Sequence, residues 1–550
     1  MRVAFYTSCR RFASAAPKDT YDAIVIGGGH NGLTAAAYLA RAGKRVCVLE
    51  RRNVIGGAAV TEEILPGYKF SRASYLLSLL RPIVIKDLKL KEHGLRYHIR
   101  NPSSFTPVRD SKKSLLLGLD MQENCRQIRK FSKRDAEMFP KYEEFIEKLV
   151  KPLGPMMDEV PLNAHHLSKS ELIKQTWKMF QRVRQIGASN MVDFYELLTA
   201  PIAKILDRWF ESDVLKATLG TDGVLGFAAS PYDVGTGYIL LHHVIGGVDG
   251  HSGAWAYVMG GMGAVSSAIA KSAQSHGVEI FVDQEVSEVL VDDGAARGVR
   301  LVNGKEVHAE VVLSNATPKV TFEHLVAEAE MPMEFRRAVK SIDYTSPATK
   351  INVAVRELPS FTCLPNVGTA PMPHHQTTIH LNCESMQIVD EAVQDYRNGQ
   401  WSRRPVVEMT IPSVVDRSLV PDDRSHVMSL FTQYTPHTLK DGPWSDERKE
   451  QYAKHVFNEI DAYAPNFSSS IIGYEVLSPP DIEKIFGLTG GNVFHGSMSL
   501  DQLYFTRPVS RYSNYTTPIK GLYLCGSGAH PGGGVTGAPG RLAALVALQQ

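Results

Sequence analysis

The sequence predicts an α/β protein built on a Rossmann-type dinucleotide-binding unit, with a large α+β lobe inserted behind it. Three observations predict it. Residues 21–50 read as strand, glycine-rich turn, helix and second strand; residues 521–549 read as strand, glycine-dense loop and helix; and the long stretch between passes from helical to strand-like patterning. The 550 residues carry 60 Lys plus Arg against 58 Asp plus Glu, a net charge of +2, with 43% hydrophobic content. That balance offers no basic field for gathering phosphates along a nucleic acid, and no nucleic-acid partner is expected. The longest apolar stretches, such as Tyr75 to Leu80, fall short of the ~18 to 20 residues a spanning helix needs.

Residues 1–18 concern address more than fold. They hold Arg2, Arg10, Arg11 and Lys18, the hydroxyls of Tyr6, Thr7, Ser8 and Ser14, a run of alanines, and no acid before Asp19. An acid-free, Arg-bearing, potentially amphipathic start is the signature of a mitochondrial transit peptide. The expected location is therefore mitochondrial, in the matrix or on the matrix face of the inner membrane.

Tyr21 to Ile26 is a short apolar run, followed by Gly27, Gly28, Gly29, His30, Asn31 and Gly32 and by an alanine-rich stretch ending at Gly43. Arg45 to Leu49 reads as the next parallel strand, with Glu50 at its carboxyl end. Gly27 permits a tight turn, Gly29 lets backbone approach a pyrophosphate, and Gly32 allows helix to pack closely on strand. The helix N-terminus offers unpaired N–H groups and partial positive charge to the phosphates. Glu50, eighteen residues past Gly32, can accept from both hydroxyls of an adenosine ribose and would repel a 2′-phosphate. This unit alone does not separate FAD from NAD.

The residues after it do. Glu50 to Ala59, with the pair Gly56-Gly57, resembles the segment after the second strand in the amine oxidase and phytoene desaturase group of flavoproteins. Gly521 to Arg541 resembles the C-terminal flavin-contacting motif of the bacterial-type phytoene desaturases. Trp255 to Gly263, Val286 to Val291 and Arg297 to Arg300 look like that group's return into its FAD domain, and Val311 to Ala316 like its crossing back to the substrate lobe. The motifs Arg72 to Leu80, Gly491 to Gly496 and Leu503 to Pro508 extend the likeness over nearly the whole chain after residue 20.

The resemblance implies a Rossmann-type FAD-binding domain assembled from three chain segments, 20–84, 251–318 and 511–550. The inserted substrate domain is helical over 85–250 and sheet-forming over 319–510. It assigns to the cofactor Ile26, Gly27, Gly28, Gly29, His30, Asn31, Gly32, Glu50, Arg51, Arg52, Gly56 and Gly57 from the first segment. Val286 comes from the second, by a backbone contact to adenine, and Gly526, Ser527, Gly534 and Val535 come from the third. Many flavoproteins place an acid where Ser527 stands. The implied activity is FAD-dependent oxidation of a lipophilic or amphipathic small molecule; a flavin-bearing regulatory protein with little turnover is the alternative.

Arg134 to Val150 and Leu172 to Ile186 typify the helical part, and Lys350 to Val355 and Val406 to Ile411 the strands. Lys169 to Ile186 sets Ile173, Trp177, Phe180 and Val183 at helical spacing among basic residues, a pattern that can lie on an anionic membrane surface such as the mitochondrial inner membrane or serve as an ordinary lid helix. Gly261-Met262-Gly263 imitates a second dinucleotide fingerprint and raises an NAD(P)H-dependent reductase, but Ser266 stands where the third glycine belongs. The six cysteines form no Cys-x-x-Cys, and the His165-His166, His242-His243 and His374-His375 pairs, with His380 and His495, have no metal-ligand spacing. No metal is expected. No catalytic residue stands out; His530, inside the C-terminal loop, is the one candidate.

Overall fold

The computed structural model describes residues 16–162, 169–187 and 190–549. The reading of residues 1–18 falls almost wholly outside them, as do His165 and His166. The strand Ala23–Ile26 (β1) leads into the helix His30–Arg41 (α1) and the strand Val46–Leu49 (β2); the strands lie within the expected limits, while the helix starts inside the glycine-rich turn, three residues before the stretch beginning at Leu33. Later in the chain come the helix Gly263–Ser275 (α2) and the strands Glu279–Phe281 (β3), Val311–Ser314 (β4) and Leu522–Leu524 (β5). The helix Ala538–Ala547 (α3) closes the domain.

These strands form one parallel sheet in the order β3-β2-β1-β4-β5, the Rossmann order, drawn from three separate stretches of sequence. β1 and β2 are short, apolar and fully buried, as a parallel strand covered on both faces must be. The register pairs Ile26 with Leu49 and with Ser314, and Ser314 with Leu524. Gly27, Glu50, Asn315 and Cys525 therefore leave the sheet at one edge, the carboxyl edge where ligands bind in such folds. An antiparallel meander, Val286–Asp292, Ala295–Leu301 and Glu306–His308, accompanies this sheet.

The inserted lobe has a seven-stranded mixed sheet. Its order is Ile471–Leu477, Ala348–Val355, His426–Gln433, Val406–Thr410, Thr378–Leu381, Ser104–Pro107 and Ser114–Leu117. The last two strands lie in the stretch read from sequence as mostly helical. Thr378–Leu381 pairs in parallel with Ser104–Pro107, so tertiary pairing makes strands of two short runs without period-2 patterning. Helices including Lys133–Val150, Lys169–Ile186, Met191–Thr199 and Thr236–Val244 form the cover. Among the described residues no helix is long and apolar enough to cross a membrane.

The helix pair α1 and α3 packs backbone to backbone. A Cβ on Gly540 would lie 2.0 Å from the Asn31 carbonyl oxygen. Gly540→Ala must push the helices apart and is expected to lower unfolding stability by about 1–3 kcal/mol. Gly154→Ala, where an added Cβ meets nothing within 4 Å, should stay within about 0.5 kcal/mol of the parent. Denaturant unfolding of both variants checks this; equal stabilities would contradict the packing account.

Candidate active site

The glycine-rich turn is held by a carboxylate. Glu50 is 6% exposed; its Oε2 accepts from the Gly28 N–H at 2.7 Å and its Oε1 from the Arg52 N–H at 2.9 Å. Burial raises its pKa, opposed by those two N–H donors. Each oxygen keeps a further lone pair, so the carboxylate orders the turn and can still accept from a ribose. Gly56 N–H donates to the Gly28 carbonyl at 2.8 Å, laying the Gly56-Gly57 pair along the turn. Helix α1 begins with no side-chain cap and no acid in its first turn, leaving its N-terminal N–H groups and positive dipole end for an anion.

The glycines have more than one reason. A Cβ on Gly32 would lie 2.2 Å from the Gly27 carbonyl oxygen, the close packing expected of it. A Cβ on Gly29 would lie 2.7 Å from Asn315 Nδ2, so part of the requirement there comes from the protein itself. Asn315, just past β4, is a site residue that sequence reasoning passed over: its side chain lies against Gly27, Gly29 and Gly32, and its backbone against Gly526.

The third segment joins the first through Asn31, whose Nδ2 donates to Ser527 Oγ at 3.0 Å. Gly534 packs against Leu79, and the Arg81 N–H donates to the Thr536 carbonyl. Val286 opens its strand beside the end of β2, where the Gln284 N–H donates to the Glu50 carbonyl at 2.9 Å. Arg51 and Arg52 point elsewhere. Arg51 donates to the Lys484 and Ile485 carbonyls, while Arg52 pairs with Glu62 at 2.8 Å and stacks over Phe486. Arg52 Nη1 is nevertheless buried without a hydrogen-bond partner, as are His30 Nε2 and Asn31 Oδ1.

A cavity of about 180 Å³ opens at this point. His30, Tyr75, Trp255, Ser527, Gly534 and Val535 line it from the three segments of the nucleotide-binding domain, and Lys350, Phe431, His242 and His495 from the lobe. Desolvation lowers His30 to a pKa of about 4 and His242 and His495 to about 3, so these imidazoles are neutral at physiological pH. Lys350, from the strand Ala348–Val355, is buried, donates to the Ser71 carbonyl and sits 5.5 Å from the centre of the Tyr75 ring. Burial pushes it down to about 7. The Tyr75 hydroxyl donates to Glu408 Oε2 at 3.0 Å, and Glu408 faces His380 at 3.4 Å. Burial alone would raise the Glu408 carboxyl, but His380 and Tyr75 hold it below its ordinary range. Period-2 patterning could place Lys350 on a strand, but not on the wall of this cavity.

His530 lines a different, larger cavity; its Nε2 hydrogen-bonds the Met156 carbonyl at 2.9 Å and its ring meets Tyr504 edge-on. The Gly261-Met262-Gly263 turn makes no second nucleotide site. The Met262 and Gly263 N–H groups at the start of α2 donate to Ser71 Oγ and Thr61 Oγ1, Ser266 donates to the Ala59 carbonyl, and the following β3 belongs to the sheet already described. Cys47, Cys383 and Cys525 are buried, and none of the described cysteines is paired. Among the described residues no His, Cys, Asp or Glu cluster could hold a metal.

The chain is 52% identical over 98% of its length to the rat pyridine nucleotide-disulfide oxidoreductase domain-containing protein 2, covering 95% of that protein. It belongs to this family. A family profile described as an NAD(P)-binding Rossmann-like domain matches residues 25–83. One of the limonene dehydrogenase polypeptides of Castellaniella defragrans is 27% identical over 96% of the chain and 94% of that polypeptide. Among solved structures, a putrescine oxidase triple mutant redesigned for cofactor binding superposes with a TM-score of 0.60 at 15% identity, over 96% of this chain and 98% of that one. The fold is thus that of the amine oxidases, and the chain is an oxidoreductase.

Lys350 carries a pH signature. The folded state keeps it neutral down to about pH 7, whereas an unfolded lysine is protonated below about 10.5. The destabilisation is absent above the unfolded value, grows as pH falls toward 7 and levels off below it. Lys350→Met is expected to gain stability over the parent at pH 7 and to lose most of that gain by pH 10. Thermal unfolding at the two pH values checks the sign; a difference independent of pH would contradict it.

Proposed function

We propose that the protein is an FAD-dependent oxidoreductase that dehydrogenates an apolar or amphipathic small molecule. The observation that carries the reading is the single cavity in which His30 of the first segment, Ser527 and Val535 of the third, and Lys350 of the inserted lobe meet. Limonene dehydrogenase and putrescine oxidase are named for an apolar and an amine substrate respectively. The neutral imidazoles and aromatic walls here favour the first kind.

The residues fit the cofactor. The N-terminus of α1 and the Gly27 to Gly32 turn would receive the pyrophosphate, Glu50 the adenosine ribose, and the loop from Ser527 to Val535 a flat ring. The unpartnered Asn31 Oδ1 and His30 Nε2 belong to this turn. FAD would supply a two-electron acceptor. The chain's own part is to close the substrate into a water-poor cavity and align the bond to be oxidised. Lys350 Nζ lines this cavity with a pKa near neutrality, so it is suited to take up a proton from the substrate.

We further propose a mitochondrial location on the matrix side, a proposal supported by the acid-free, Arg-bearing start of the chain. Ile173, Trp177 and Phe180, exposed on the basic helix Lys169–Ile186, support contact with the inner membrane surface. A reporter fused after residue 18 that stays in the cytosol would overturn the address.

Purified protein should be yellow. Glu50→Gln replaces a carboxylate acceptor by an amide NH₂ that opposes an N–H donor, a loss of about 1–3 kcal/mol, or roughly 5- to 150-fold in FAD affinity. Gly29→Val, which crowds both Asn315 and the phosphate approach, should lose more. Absorbance of the dialysed proteins measures retention. A folded, colourless protein that takes up no added FAD, or parental retention by Gly29→Val, would refute the assignment.

A further inference from the structure

The larger cavity, about 800 Å³, is unused by the reaction described above. It lies between the helix Lys169–Ile186, the turn Gly154–Asp158 and helix α3, and Met156, Leu198, Leu241, Leu503 and Leu545 give it an apolar interior. Its volume is within the range of small-molecule sites, and more than four times that of the smaller cavity. Glu171, Lys174 and Lys178 of the overlying helix line it, Lys178 pairing with Glu159 at 2.9 Å, and Asp158 and Arg541 add charge from the turn and from α3.

One residue lines both cavities, His242 of the helix Thr236–Val244. It is 4% exposed, meets Phe494 edge-on at 5.9 Å, and its Nε2 has no hydrogen-bond partner among the described residues. A neutral ring is all that the geometry places in common between a large apolar chamber and the cavity holding Lys350. The overlying helix is also turned against the usual amphipathic rule. Glu171, Lys174 and Lys178 line the chamber beside Met179, while Ile173, Trp177 and Phe180 are 71%, 58% and 53% exposed. A core-facing helix would bury that stripe; here the chamber beneath does not use it, so the helix roofs a cavity rather than sealing a core.

We propose that the chamber is a second ligand site, which takes the hydrocarbon body of a long-chain lipophile with its polar end among Lys174 and Lys178 and its far end reaching the smaller cavity past His242. This rests on the reading of the smaller cavity as the reaction site. It gives the substrate a length: a molecule too long for 180 Å³ has its reacting end there and its remainder in the chamber.

Parinaric acid, whose fluorescence rises in apolar surroundings, tests the site on the full, flavin-loaded protein. Saturable binding is expected, with competition by oleic acid marking an acyl-chain site and competition by farnesol an isoprenoid one. Met179→Trp and Leu198→Trp, which fill the chamber from positions that are only partly buried, should each weaken binding at least tenfold while the yellow colour stays. Binding should also shift the flavin absorption band, and His242→Trp should abolish that shift while the probe still binds. Yellow protein without saturable binding, displacement by neither competitor, parental affinity in both filled variants, or binding with no change in the flavin band would overturn the proposal. Colourless protein that still binds the probe would instead refute the FAD assignment and leave the chamber standing.

Discussion

The structure depends on how little space separates Gly27 from Gly32. With Gly32's missing Cβ only 2.2 Å from the Gly27 carbonyl oxygen, and Gly29's 2.7 Å from Asn315, the turn between β1 and α1 closes only if these positions have no side chain. Once closed, it fixes everything around it. The Gly28 N–H meets Glu50, the Gly28 carbonyl meets Gly56, and the open end of α1 faces the carboxyl edge of the sheet. The β4 crossing brings Asn315 onto the same turn, and β5 then delivers Gly526 and Ser527 beside Asn31. Three stretches separated by hundreds of residues thus share one set of steric constraints.

The lobe is joined to this edge by a buried charge. Arg507 is 2% exposed and donates to the carbonyls of Phe494, Gly496, Ser497, Gln502 and Ser527. Burial pushes its pKa down to about 10, which leaves it cationic at neutral pH. A guanidinium with its donors on backbone carbonyls acts as a rigid fastener. It ties the loop that supplies Phe494 and His495 to the cavity onto the segment that supplies Ser527 and Val535. The cavity between therefore has walls from two domains held at a fixed spacing, and His30, His242 and His495 are neutral because the same packing excludes water.

What could be read from sequence follows from whether the determinants are local. β1, α1, β2 and Glu50 lie within thirty residues, and the periodicity and glycine spacing give them directly. The helices Lys133–Val150 and Lys169–Ile186 and the strands around Lys350 and Val406 were likewise legible from their periods. The hairpin Ser104–Pro107 with Ser114–Leu117 was not, because its strand character comes from pairing with Thr378–Leu381, more than 250 residues away. Lys350, Asn315, His242 and Arg507 were missed as site residues for the same reason: each is ordinary among its neighbours in sequence and gains its role from partners supplied by the tertiary fold. Arg51 and Arg52 show the converse, since adjacency to Glu50 suggested the cofactor while the side chains engage Lys484, Ile485 and Glu62. Ser266 in place of a third glycine was a sound warning against a second nucleotide site, and the hydroxyls of Thr61 and Ser71 on the start of α2 supply the physical reason.

The central claim is that electrons pass from a lipophilic substrate in the Lys350 cavity to a flavin held by the Gly27 to Gly32 turn. Anaerobic mixing of the yellow protein with a panel of terpenes, long-chain alkenes and lipophilic amines, followed at the flavin band, tests it most directly. The account predicts bleaching by at least one lipophile, at a rate that rises with pH through an inflection near the pKa of about 7 set by burial of Lys350, an inflection absent in Lys350→Met. An oxidised flavin that persists across the whole panel, or one reduced rapidly by NADPH and reoxidised through a cysteine-dependent disulfide, would contradict it.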